Sequence, residues 1–327
     1  MIRLFPGLLL IGLLLIGLLA QPGFAASDKT GDAKDTKETP ADAMPEVSAS
    51  DPFVAFRERR YARALALATE RADKGDYRSM ALIGLLYESG LGVDKDTEAA
   101  LGWYKLADKG GNALAATRLG LMYLNGIGID RDLSRAGAYF QRAAKKDQPD
   151  ALYNLGLLYL GGKPYKRNLK KAAETFKRAA FNGHADAQYA LALQYKEGQG
   201  VRKNAKEAAR WMEKAAVRGH KDAIVEYAIM MFKGRGVEKD ETKAQKMFEI
   251  AAKAGNVIAM NRLAHMLAAG RGGAPDPVKA ATWHLIARYR GLSDLRLDGF
   301  LASLTDEQLE TAQKALLKWV AAHRVSP

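Results

Sequence analysis

The chain has no cysteine among its 327 residues. That excludes disulfide frameworks, thiolate metal sites, cysteine nucleophiles and a lipid-modified N-terminal cysteine. It also leaves nothing to mispair in an oxidising compartment. Histidine is scarce, with 5 residues, and none stands in an HExxH or other ligand spacing, so no metal centre and no cofactor is expected. Lys29-Thr30-Gly31 matches one box of the serine β-lactamases, but no S-x-x-K or S-D-N accompanies it. No GxxxxGK[ST] phosphate loop occurs. Nothing here marks a catalytic residue, and the chain reads as a non-enzyme. Proline is modest, at 10 residues, while 48% of the chain is hydrophobic. Abundant alanine and glycine favour closely packed helices over sheets.

The N-terminus has the pattern of a secretory signal peptide. Arg3 supplies the positive end, Leu8 to Ala20 the apolar run, and Gly23-Phe24-Ala25 the small residues before a cut near Ala25. The run is short against the roughly 20 residues that span a bilayer. Export to the periplasm or beyond is therefore expected, with membrane contact only through this segment before cleavage. Residues 26–52 have no apolar periodicity and a net charge of −4, and read as a disordered linker. The whole chain carries +13, which leaves +16 on residues 53–327. A basic excess of that size suits an anionic partner.

Internal self-similarity dominates the rest. Six columns recur with a period of 36 residues. One reads Ser79, Ala115, Ala151, Ala187, Ala223, Ala259 and another Gly84, Gly120, Gly156, Ala192, Ala228, Ala264. A third is Tyr87, Tyr123, Tyr159, Tyr195, Met231, Leu267, and a fourth is glycine from Gly90 to Gly270. The last two are alanine throughout, from Ala100 to Ala280 and from Ala107 to Ala287. Ala115, Leu119 and Tyr123 stand at i, i+4, i+8, one face of a helix. Gly126 ends that helix, and Ala136, Phe140 and Ala143 mark the face of a second. Each unit is thus helix A, turn, helix B, turn: 77–112, 113–148, 149–184, 185–220, 221–256 and 257–292. Glycine inside helix A costs roughly 1 kcal/mol against alanine, tolerable where it lets the aromatic column of helix B (Tyr104, Phe140, Phe176, Phe248) fill the space. Residues 53–76 read as one capping helix at the N-terminal end. Residues 293–327, with a capping-box spacing at Thr305 to Gln308, read as a helical cap at the other.

Residues 113–129, ALAATRLGLMYLNGIGI, and 205–223, AKEAARWMEKAAVRGHKDA, resemble the Sel-one-like repeat, a branch of the tetratricopeptide superfamily. The resemblance covers residues 77–292. It implies an all-α fold, a right-handed α/α superhelical solenoid, and a role as a scaffold for protein–protein contacts. Exported bacterial members are implicated in envelope regulation, in restraining sensors, controlling exopolysaccharide or modulating peptidoglycan enzymes. A cysteine-paired branch linked to β-lactam binding does not carry over, for want of cysteine. Two departures stand out. Unit three has Gly162-Lys163-Pro164-Tyr165 in place of G-x-G-V, so its turn should differ, and units five and six replace the helix A tyrosine by Met231 and Leu267.

Two surfaces are candidates. Helix A lines the concave face in the tetratricopeptide relatives, and its variable column reads Leu82, Arg118, Asn154, Ala190, Glu226, Arg262. Arg118, Asn154, Glu226 and Arg262 can hold a peptide there. The second is a basic patch of Lys163, Lys166, Arg167, Lys170, Lys171, Lys177 and Arg178, against the single acid Glu174. His184 and His220 share a column just after helix B and read as turn residues bonding local backbone. Acidic residues at the starts of helix B, such as Asp96 and Asp240, complement the helix dipole. The favoured reading is an exported scaffold or regulator that binds a protein of the bacterial cell envelope. The alternative is a binder of anionic envelope polymer, either peptidoglycan, polysaccharide or lipid. A cell-wall or β-lactam hydrolase is the least favoured reading, and an exported chain does not meet nucleic acid.

Overall fold

The computed structural model describes residues 50–323. The segment expected to be a signal peptide, its expected cleavage point and nearly all of the expected linker lie outside the described residues. The described chain is built of helices and turns, with no strand among the described residues. A terminal pair, α1 (Pro52–Arg57) and α2 (Tyr61–Asp73), precedes the repeats. The A helices of the six units are α3 (Tyr77–Ser89), α5 (Ala113–Asn125), α7 (Pro149–Gly161), α9 (Ala185–Glu197), α11 (Lys221–Lys233) and α13 (Val257–Ala268). Their B partners are α4 (Thr97–Lys109), α6 (Leu133–Ala144), α8 (Leu169–Phe181), α10 (Ala205–Val217), α12 (Glu241–Lys253) and α14 (Pro277–Tyr289). Helices α15 (Leu295–Leu301) and α16 (Asp306–Ala322) close the array. Each helix packs on the next in chain order through α14, and α16 then covers α14. The fold is an all-helical solenoid of six units.

The small column of helix A sets the distance between the two helices of a unit. A Cβ at Gly120 would stand 2.5 Å from the Phe140 ring, and one at Gly156 would stand 2.6 Å from the Phe176 ring. Phe140, Phe176 and Tyr104 are wholly buried, as are both all-alanine columns apart from slight exposure at Ala251. No larger side chain fits between backbones this close.

The turns are closed by the backbone. The N–H of each B-helix N-cap donates to the carbonyl of the third column, from Asp96 to Tyr87 (3.0 Å) through Asp276 to Leu267 (3.0 Å). Because the carbonyl does the bonding, Met231 and Leu267 serve as well as tyrosine. Unit three keeps the same closure, Asn168 to Tyr159 at 2.9 Å. Its turn differs only inside, where the Lys163–Pro164 peptide is cis. The Tyr165 ring then occupies space that Gly137 leaves open on α6. In the other units a second glycine brings the turn against the preceding B helix. A Cβ at Gly200 would fall on the Leu169 carbonyl at the start of α8.

Two expectations are modified. The N-terminal cap has two helices where one was expected, because Asp51 caps α1 and Pro52 occupies its first turn. The linker therefore gives way to structure at its last residues. In the other units a left-handed glycine follows helix B, as at Gly111 and Gly183, whereas unit two has Asp147 there with φ 53. Arg178 secures it there, with bonds of 3.0 and 2.6 Å to the Asp147 carboxylate. At the far end Thr305 and Gln308 form the expected reciprocal capping box.

The Gly156→Leu variant should overpack the α7–α8 contact and lose about 1–3 kcal/mol. Thermal or denaturant melting measures this, and an unchanged midpoint would contradict the packing described.

Candidate interaction surfaces

Successive A helices touch directly at α3 with α5 and at α5 with α7. Their outward face carries a half-buried aliphatic stripe, Leu85, Leu121, Leu157, Leu193 and Ile229. The variable column runs beside it, and most of it is already engaged. Arg118 Nε lies 3.9 Å from Glu88, which accepts the Tyr104 hydroxyl at 2.5 Å. Burial, then the Glu88 carboxylate, pushes the Tyr104 hydroxyl far above its ordinary range, so it stays a donor. Glu226 pairs with Lys196 at 2.7 Å. Asn154 donates to the Asp150 carbonyl of its own helix at 2.8 Å. Among the described residues no ion pair engages Arg262, which is exposed. Two members of the column, Arg118 and Glu226, thus form rungs between neighbouring units.

The basic patch divides. Lys163, Lys166, Arg167, Lys170 and Lys171 cluster on the turn and first residues of α8, all exposed. Lys171 places its ammonium 5.6 Å from the Tyr159 ring centre. Lys177 lies six or seven residues further along the helix, roughly 10 Å away at 1.5 Å per residue. Arg178 is committed to Asp147 and to the Ala144 carbonyl, so its charge is not available to that cluster. The patch gains residues from the next unit: Arg202, Lys203 and Lys206 are exposed and border a shallow cleft with Tyr195 and Val201. The spacing of Gly200 over Leu169 brings this turn onto the start of α8.

The histidines do several jobs. His184 and His220 are helix N-caps: each Nδ1 accepts a backbone N–H, from Ala187 at 3.2 Å and Ala223 at 3.1 Å. Their Nε2 atoms face Asp150 and Asp186 at 3.4 Å, and the rings stack on Tyr153 and Tyr189. His284, wholly buried, occupies the aromatic column and reaches Asp298 at 2.8 Å. His265 reaches Asp294, also at 2.8 Å. Although burial alone would raise it, the Asp294 carboxyl is held well below the usual range by Asn261 and His265. These pairs fasten α15 to the last unit. No group of three or more ligating side chains that could hold a metal occurs among the described residues.

The model of the Sel1 repeat matches residues 78–112, 113–148, 149–184, 185–220, 221–256 and 257–292. The chain belongs to the Sel1 repeat family. It is similar to a Sel1 repeat protein from Oxalobacter formigenes, with 32% identity over 73% of this chain and 98% of that one, at a TM-score of 0.64. It is also similar to c5321, a protective antigen of uropathogenic Escherichia coli strains that displays an SLR fold. There the identity is 26%, covering 80% of this chain and 64% of that one, with a TM-score of 0.56. A comparison with curated proteins gave no match. Sel1 repeats are in general protein–protein interaction scaffolds.

His184 yields a pH prediction. Burial lowers its pKa, against opposing pulls from Asp150 and Asp186. Its stabilising contribution is therefore complete above the free value of about 6.5 and is lost as pH falls below it. His184→Asn should keep the cap, as Asn112 and Asn256 do in the same column, and flatten the stability–pH curve below about pH 6.5. His184→Ala should cost about 0.5–2 kcal/mol at pH 7. Urea melts across that range decide it; an unaltered pH slope in His184→Asn would contradict the assignment.

Proposed function

We propose that this chain is an exported scaffold that holds a segment of a cell-envelope protein along the inner face of its A helices. What carries the reading is the aliphatic stripe from Leu85 to Ile229, which stays partly exposed beside the varied polar column. A continuous apolar strip flanked by varied polar groups is what an extended or helical partner segment needs. The flanking groups Arg118, Asn154, Glu226 and Arg262 then confer selectivity, since mismatched charges along the strip are costly. Binding, not bond making, is the activity. The signal-peptide pattern of residues 1–25 supports export, with the mature chain beginning at Ala26.

In-cell photo-crosslinking tests this. A crosslinker placed at Ala190, beside the strip, should capture one defined envelope protein; one at Lys105, exposed on a B helix, should not. The chain recovered in the adduct should start at Ala26. Adducts of equal yield from both positions, or a retained N-terminal segment on a cytoplasmic adduct, would contradict the proposal.

A further inference from the structure

The A–B turns repeat in geometry but not in charge. Positions 94–96 read Asp-Lys-Asp and 130–132 read Asp-Arg-Asp, and in unit five 238–240 read Glu-Lys-Asp. Each triplet carries a net charge of −1. Units three and four break the rule: 166–168 read Lys-Arg-Asn and 202–204 read Arg-Lys-Asn, each +2. The third position is the N-cap of helix B, and asparagine caps there as aspartate does elsewhere. Asn168 accepts from the Lys171 N–H at 2.9 Å and Asp96 from the Ala99 N–H at 2.9 Å. Folding therefore does not require the change from aspartate to asparagine. What the change achieves is removal of negative charge in the two units whose turns gained cations.

The two altered turns are neighbours in space. The turn of unit four rests on Leu169 and Lys170, the first residues of the helix that the turn of unit three introduces. Lys166, Arg167, Lys170 and Lys171 thus adjoin Arg202, Lys203 and Lys206. In units one and two the turn cations Lys95 and Arg131 each stand between two aspartates in sequence; in unit five Lys239 pairs with Glu241, and at the helix starts Arg135 pairs with Asp132 and Lys279 with Asp276. No ion pair among the described residues engages any of the seven. The nearby acid Glu207 pairs with Arg210, and Glu174 and Glu197 are exposed on the helices to either side. Tyr159, Tyr195 and Val201 lie among the cations.

We propose that the stacked turns of units three and four form a cationic edge that binds an acidic segment of a partner protein. Like charges gathered without internal partners have their favourable pairing left to a ligand. Arginine and lysine together suit carboxylates. The interleaved tyrosines and Val201 suit a peptide that carries apolar side chains between its acids, more than a uniformly charged polymer. This rests on the scaffold reading, and places a second contact outside the inner face.

The test recodes the edge with residues that other units already use. Lys166→Asp with Asn168→Asp gives unit three the charge of unit two. Arg202→Asp with Asn204→Asp gives unit four that of unit one. Capping is retained, so circular dichroism and melting should match the parent. Fluorescence anisotropy of the mature protein follows two probes, a labelled peptide of alternating Glu and Leu, and labelled polygalacturonate. The peptide should bind the parent and lose at least about tenfold in affinity in the recoded protein, with a shallower salt dependence. Lys177→Ala should leave binding unchanged. Peptide affinity that survives recoding, or no peptide binding by the parent, overturns the edge. Tighter, recoding-sensitive binding of polygalacturonate overturns the protein assignment. The Ala190 crosslink, repeated in the recoded protein, separates the two proposals: its persistence leaves the scaffold standing whatever the edge does.

Discussion

A glycine or alanine of helix A lies beneath a large side chain of helix B in each unit, and that contact sets the spacing on which the array depends. At Gly84, Gly120 and Gly156 the backbone itself meets the ring of Tyr104, Phe140 or Phe176. Helices drawn that close leave room only for alanine in the adjoining columns, which is why Ala100 through Ala280 are buried without exception. The short separation also lets one turn close by a single backbone bond from the B-helix N-cap. Side chains in the turn are then released from structural duty, and their charge can change from unit to unit at little cost to the fold.

This division explains what the sequence could convey. Core contacts lie within a unit or between equivalent positions of neighbouring units, so they recur every 36 residues and appear as columns. Helices, turns and unit boundaries followed from them. Contacts between unlike columns leave no such trace. The Glu88–Arg118 and Lys196–Glu226 rungs join residues 30 apart, and they engage side chains that the column pattern alone suggests are idle. The Arg178–Asp147 pair is likewise silent, although a non-glycine at position 147 marks the place where glycine was replaced. His284 had a signal: it follows Phe248 by 36 residues, which assigns it to the core. Its partner Asp298 stands outside the repeat and could not be read from it.

The basic patch shows the same limit in functional terms. A window along the chain gathers Lys163 to Arg178 because they are consecutive, yet the fold separates the two ends of α8 and commits Arg178 elsewhere. Stacking adds Arg202, Lys203 and Lys206 from the following unit. A surface in a solenoid is assembled across units, so the relevant comparison is between equivalent turns and not along one segment.

The most direct test of the account is a double-mutant cycle on the small and large columns, with Gly156→Ala and Phe176→Met made singly and together. Unit four already combines Ala192 with Met212, both wholly buried. Gly156→Ala alone should destabilise the protein, and Phe176→Met should relieve much of that loss, giving a coupling of about 1 kcal/mol or more in urea melts. Strictly additive effects would show that the two columns do not share one contact, and the spacing of the array would need another cause.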